Sequence, residues 1–80
     1  MTTATAVKSF DLYSHEKRSS SRFAANNLIE AKHLAERKAG LANQGIYTWA
    51  WRTLERGIYV LYVIRGHKVV RSYTLRPDWR

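Results

Sequence analysis

The chain has no cysteine and only one proline and one methionine. Without thiols there is neither a disulfide framework nor a thiolate metal site, so nothing covalent supplements the core. In a chain of 80 residues this matters, because one small core lies near the size at which domains begin to need such staples. Long hydrophobic runs are missing too. The longest, residues 58–64, falls far short of the ~20 residues a membrane-spanning helix takes. The opening MTTATAV has no basic n-region and no apolar core, which predicts no secretory leader. Together these absences predict a single soluble, cytoplasmic domain over residues 1–80, with mobile tails at 1–6 and 77–80 and no membrane partner.

Chemistry-bearing motifs are equally sparse. His15, His33 and His67 fall in a loop, a helix and a turn, at spacings that match no metal site. Ser19, Ser20 and Ser21 have no base partner and no nucleophile-elbow glycines. The four glycines are scattered rather than gathered into a phosphate loop. Among the carboxylates, Glu30, Glu36 and Glu55 have local roles in a helix cap, on a helix surface and in a turn. The expectation is a non-enzyme, with no catalytic residue, metal or cofactor.

What the chain does have is positive charge. Fourteen Lys/Arg against six Asp/Glu give a net charge of +8, which suits a polyanionic partner, although solubility alone accounts for charges of that order. Residues 1–44 hold seven Lys/Arg against four Asp/Glu, net +3, and residues 45–80 hold seven against two, net +5. The second half is also where the aromatics collect. IYTWAWRT, IYVLYVI and VVRSYTLR read as three strands joined by tight turns at LERG and RGHK.

The first half supplies less sheet and one helix. Residues 8–14 alternate, with Phe10 and Leu12 opposite Asp11 and Tyr13, which suits a half-buried strand. Residues 15–21 read as a polar, serine-rich loop, and 22–25 as a short returning strand. Asn27 is a favoured N-cap, with Glu30 three residues on to reach back to the cap's N–H. Leu28, Ala31, Leu34 and Ala35 form one narrow apolar stripe. Arg37 and Lys38 suit the last turn, and Gly40 the C′ position. A helix is therefore predicted over 28–39, with 41–44 as a connector. The fold class is α+β: an antiparallel sheet of about four strands with one helix packed on one face, in the order β-(β)-α-β-β-β.

Turn chemistry sets the expected register. A three-residue loop with Gly57 in the left-handed position of a bulge would place Leu54 opposite Ile58 and Trp51 opposite Leu61. A two-residue turn at Gly66 and His67 would pair Arg65 with Lys68 and set Val63 beside Val70. One face then carries Ile46, Ala50, Leu54, Ile58, Val60, Tyr62, Ile64, Val69, Tyr73 and Leu75, with Arg52 and Arg71 among them. The other carries Tyr47, Trp49, Trp51, Tyr59, Leu61, Val63 and Val70, ending in Arg65 and Arg76. One helix of roughly three turns covers only one such face. Ala31 and Ala35 favour packing against Trp49 and Trp51, which leaves an apolar patch bordered by Arg as an interaction surface. Arg52, Arg56, Arg65, Lys68, Arg71, Arg76, Trp49 and Trp51 are the candidate binding residues. Their chemistry serves nucleic acid, through phosphate neutralisation and base stacking, and it serves a protein interface, where Arg and aromatics dominate hot spots.

RFAANNLIEAKHLAERKAG followed by GIYTWAWRTLERGIYVLYVIRG resembles the β–α–β–β plan of small phage anti-CRISPR proteins that bind the type I-F Cascade surveillance complex. Small phage inhibitors of host RNA polymerase share a looser form of it. This chain departs from that plan in being more basic and in carrying a further strand over residues 69–76. The resemblance implies a non-enzymatic inhibitor or regulator of a host protein or nucleoprotein complex in the host-cell cytoplasm. The rival expectation is a direct DNA- or RNA-binding module using the same hairpins. A homodimer through the uncovered face is the third.

Overall fold

The computed structural model describes residues 8–41 and 45–77. β1 (Lys8–Ser14) and β2 (Ser19–Ala25) form a hairpin, α1 (Leu28–Lys38) follows, and β3 (Thr48–Glu55), β4 (Ile58–Arg65) and β5 (Lys68–Pro77) form a meander. The five strands make one sheet in the order β2-β1-β5-β4-β3, with antiparallel pairing throughout. The last strand therefore lies between the first and the fourth, and joins the hairpin to the meander. The sheet has five strands rather than about four, because Ser19, Ser20 and Ser21 belong to β2 and pair with Ser14, Tyr13 and Leu12. β2 is an edge strand whose serines need no burial, so the hydrophobic pattern that announces other strands is missing from it. Only residues 15–18 form the turn.

The helix begins where its capping chemistry places it. Asn27 Oδ1 accepts a hydrogen bond from the Glu30 N–H at 2.8 Å. The Glu30 carboxylate reaches one residue beyond the cap, accepting from the Asn26 N–H at 3.0 Å and from Asn26 Nδ2 at 3.3 Å. Ala39 is the C-cap, and Gly40 follows with φ 80°, the left-handed geometry that only glycine adopts without strain. Ala31 and Ala35 are fully buried. With no bulk on that stripe the helix backbone comes close to the sheet. Phe10, Leu12, Ala25, Leu61, Val63, Tyr73 and Leu75 form the sheet side of the core, and Trp51, Tyr59 and Phe23 pack at its margin. The helix therefore covers the face that carries Trp51. Trp49 lies beyond that cover and is 40% exposed. The connector residues 42–44, with 1–7 and 78–80, lie outside the described residues, whereas Pro77 belongs to β5 rather than to a tail.

Two bulges change the expected faces. In the first hairpin Glu55, not Leu54, is opposite Ile58. The register shifts between Thr53 and Glu55, leaving Leu54 as the extra residue. In the second, Arg65 does pair with Lys68 and Ile64 with Val69, but Val63 pairs with Arg71 instead of Val70. Val70 is thus one residue too many on β5, and every β5 side chain beyond it changes side. Arg71, Tyr73 and Leu75 turn toward the helix, while Ser72, Thr74 and Arg76 turn away. Energetics favour the shift. Burying Tyr73 and Leu75 yields about 1.5–3 kcal/mol for each large side chain, against a net ~0.5–1.5 kcal/mol for a disturbed ladder hydrogen bond. The uncovered face therefore loses Tyr73 and Leu75 but keeps Ala50, Ile58, Val60, Tyr62, Ile64 and Val69, now bordered by the hydroxyls of Ser72 and Thr74 and by Arg52 and Arg76.

Leu75→Ala is expected to lower the unfolding free energy by about 2–5 kcal/mol, and Val69→Ala, at an exposed position, by no more than ~0.5 kcal/mol. Urea denaturation followed by circular dichroism checks this. Equal costs at the two positions would mean that β5 has no bulge.

Candidate functional site

Three separate segments bring cations to one end of the molecule. The β1–β2 turn supplies Lys17 and Arg18. The β4–β5 turn is flanked by Arg65 and Lys68, and α1 ends in Arg37 and Lys38. Antiparallel pairing of β1 with β5 brings the two turns together: Ser14 is opposite Tyr73, and the His15 N–H donates to the Ser72 carbonyl at 3.1 Å. A shallow hollow beside the first turn is lined by Lys17, Lys38, Ser14 and Tyr73. A second is lined by Arg65, Arg71, Val70, Tyr47 and Glu16. Lys17 and Lys38 thus share the first hollow and Arg65 and Arg71 the second, with Glu16, while Arg18 and Lys68 belong to the same two turns at this end. Such a concentration of one sign raises the local potential and attracts anions. At the opposite end, Lys8, Arg56 and Arg76 are interspersed with Glu55, Glu30 and Asp11.

The binding residues named from the sequence fall in three places. Arg65, Lys68 and Arg71 belong to the cationic end. Arg71 is half-buried there, with its guanidinium 5.3 Å from the centroid of the Tyr47 ring. Arg52 and Arg76 lie on the uncovered sheet face, where Arg76 Nε stands 3.6 Å from Asp11 Oδ2. Arg56 sits in the β3–β4 turn at the far end. The two tryptophans have different environments. Trp51 is held under the helix: its Nε1–H donates to Glu36 Oε2 at 2.8 Å, and the Lys32 ammonium lies 5.4 Å from its ring centroid and 4.7 Å from that of Tyr59. Trp49, on the edge strand, lines a hollow with His33, Arg37 and Leu41.

The uncovered face also carries groups that the sequence reading passed over. Tyr13 and Tyr62 share it, Tyr13 opposite Ser20 and Thr74 and Tyr62 opposite Ala50 and Ser72. Between them His15 joins both hydroxyls of β5: Nδ1 lies 2.9 Å from Ser72 Oγ and Nε2 2.6 Å from Thr74 Oγ1. Tyr13 could have been found from its alternation with Phe10 and Leu12. Ser72 and Thr74 could not, because the bulge at Val70 decides their side. Lys17, Arg18 and Lys38 join the cationic end only through the pairing of β1 with β5, a contact across most of the chain.

Among the described residues no three His, Cys, Asp or Glu side chains cluster so as to hold a metal ion, and no helix is long and apolar enough to cross a membrane. What this surface offers is a dense cationic end continuous with a face of hydroxyls, tyrosines and arginines. Comparison with protein-family models, curated proteins and solved structures finds no match.

The unequal roles of the tryptophans are open to measurement. Trp51→Phe, which removes the bond to Glu36, is expected to cost about 1–2 kcal/mol of stability. Trp49→Phe should leave the denaturation midpoint unchanged. A larger loss from the Trp49 variant would contradict this placement.

Proposed function

We propose that the protein is a non-enzymatic nucleic-acid-binding module that engages phosphates through its cationic end. The observation that supports this reading is the convergence of the two turns and the helix C-terminus, which brings Lys17, Arg18, Lys38, Arg65, Lys68 and Arg71 to one end of the molecule. Charges spread for solubility alone have no reason to be segregated in this way. Arginines and lysines brought together at turns and a helix end suit phosphates spaced along a strand. They release counterions on binding, so affinity falls steeply with salt.

A second reading rests on a different surface. β3 is an edge strand with an unpaired rim, and Leu54 is 65% exposed, Ile46 60% and Trp49 40%. An open edge with apolar side chains is where a protein partner adds a strand or docks. In that arrangement the module inhibits or regulates a host nucleoprotein complex in the anti-CRISPR-like manner, with β3 on protein and the cationic end on nucleic acid. Leu54→Lys would then abolish capture of the complex while leaving binding of free oligonucleotides intact.

Fluorescence anisotropy with labelled oligonucleotides tests the main reading. Log affinity is expected to fall linearly with log salt, with a slope of about −3 to −5 for some five phosphates neutralised. Joint reversal at the cationic end, Arg65→Glu with Lys68→Glu, should weaken binding at least tenfold at ~0.1 M salt, where charges act over ~10 Å. Arg56→Glu, at the far end, should change it no more than about threefold, since it lies beyond that range. Equal losses from both ends would refute a localised phosphate site.

A further inference from the structure

We infer that the sheet face turned away from the helix is a platform for single-stranded nucleic acid, whose bases stack on Tyr13 and Tyr62. This rests on the phosphate-binding reading above and specifies the form of nucleic acid bound. Both rings have only small residues directly across from them. Tyr13 lies between Ser20 and Thr74, and Tyr62 between Ala50 and Ser72. No large side chain therefore faces either ring directly across the sheet, although the His15 ring stands beside Tyr13, and Tyr62, flanked by Val60 and Ile64 on its own strand, is half-buried. A tyrosine kept only for packing is normally closed in by bulk, as Tyr73 is on the covered face, where it is 8% exposed. Tyr13 is 37% exposed, and the His15 ring sits 5.6 Å from its ring centroid at a 48° tilt.

Between the tyrosines, the Ser72 and Thr74 hydroxyls are each held by one nitrogen of His15, at 2.9 and 2.6 Å. Both nitrogens of the imidazole are thereby engaged, while each hydroxyl keeps capacity for the edge of an unpaired base. Arg52 stands on the same face and the cationic end adjoins it, so the backbone of a strand entering from that end meets positive charge, while Arg76 is paired with Asp11 further along.

The geometry favours a single strand over a duplex. Strands β1, β5, β4 and β3 span about 14 Å at ~4.8 Å per spacing, before any side chain is added. That is wider than the ~12 Å major groove, so the face cannot enter a duplex to reach base edges. Bases must instead be splayed out onto it. A second copy of the chain is a poor occupant, since each carries a net charge of +8 and the two would repel.

Anisotropy titrations with the full chain test this, using a labelled mixed-sequence 12-mer, the duplex of the same sequence, and heparin as a polyanion without bases. The single strand is expected to bind at least tenfold more tightly than the duplex. Tyr13→Leu and Tyr62→Leu should each weaken single-strand binding about tenfold, in line with the loss of one stacked base, without affecting the duplex. Tyr13→Phe and Tyr62→Phe, which keep the rings, should retain single-strand affinity. Equal binding of single strand and duplex overturns the inference but leaves the cationic-end reading standing. So does equal displacement by heparin with no effect of the leucine variants. Loss of single-strand affinity in the phenylalanine variants overturns the stacking role. Failure to bind either nucleic acid overturns both the inference and the reading beneath it.

Discussion

A single extra residue in the last strand decides what this protein shows to its surroundings. Side chains on a strand alternate between faces, so the bulge at Val70 reassigns the rest of β5. It sends Tyr73 and Leu75 into the core and Ser72, Thr74 and Arg76 out of it. Without it the core beneath α1 would lose two of its large side chains. The opposite face would gain them and become an apolar sheet surface prone to association. The bulge therefore supplies both large side chains to the core of a cysteine-free chain and the hydroxyls that β5 presents on its uncovered face.

Connectivity does the rest. β5 closes onto β1, and that pairing places the β1–β2 turn beside the β4–β5 turn, with the helix C-terminus close by. Three cationic segments far apart in sequence thereby become one end of the molecule. Arg71 marks the junction: it turns inward at the bulge, and its guanidinium rests near Tyr47. Core packing and the charged surface thus meet at the same few residues of β5. The Trp51 bond to Glu36 fixes the helix over the sheet.

Much of the fold was legible in local chemistry. Asn27 and Gly40 bounded the helix, Phe10 and Leu12 marked β1, and Gly66 set the Arg65 and Lys68 pairing, because each signal acts within a few residues. β2 was read only as a short return after a serine loop, since serines on an edge strand carry no hydrophobic alternation. Gly57, with φ 80°, announced a bulge in the first hairpin, but not that Leu54 would be the extra residue. The bulge at Val70 was not legible, because its turn allows a regular ladder and only burial of residues further along makes the irregular register the better one. The candidate site suffered accordingly. Arg65, Lys68 and Arg71 could be named from composition and do come together, whereas Trp51 proved to be held under the helix. Tyr62 was placed from the sequence on the face opposite the tryptophans, whereas the His15–Ser72–Thr74 group depended on the bulge at Val70.

The most direct test of this account is the pattern of backbone and side-chain NMR shifts when a single-stranded oligonucleotide is titrated into the labelled protein. Shifts are predicted at residues 15–18 and 65–68 and at Tyr13, Tyr62, Ser72 and Thr74, with Ala31, Ala35 and the Trp51 indole unmoved. Shifts concentrated on the helix and Trp51, with the uncovered face silent, would contradict it.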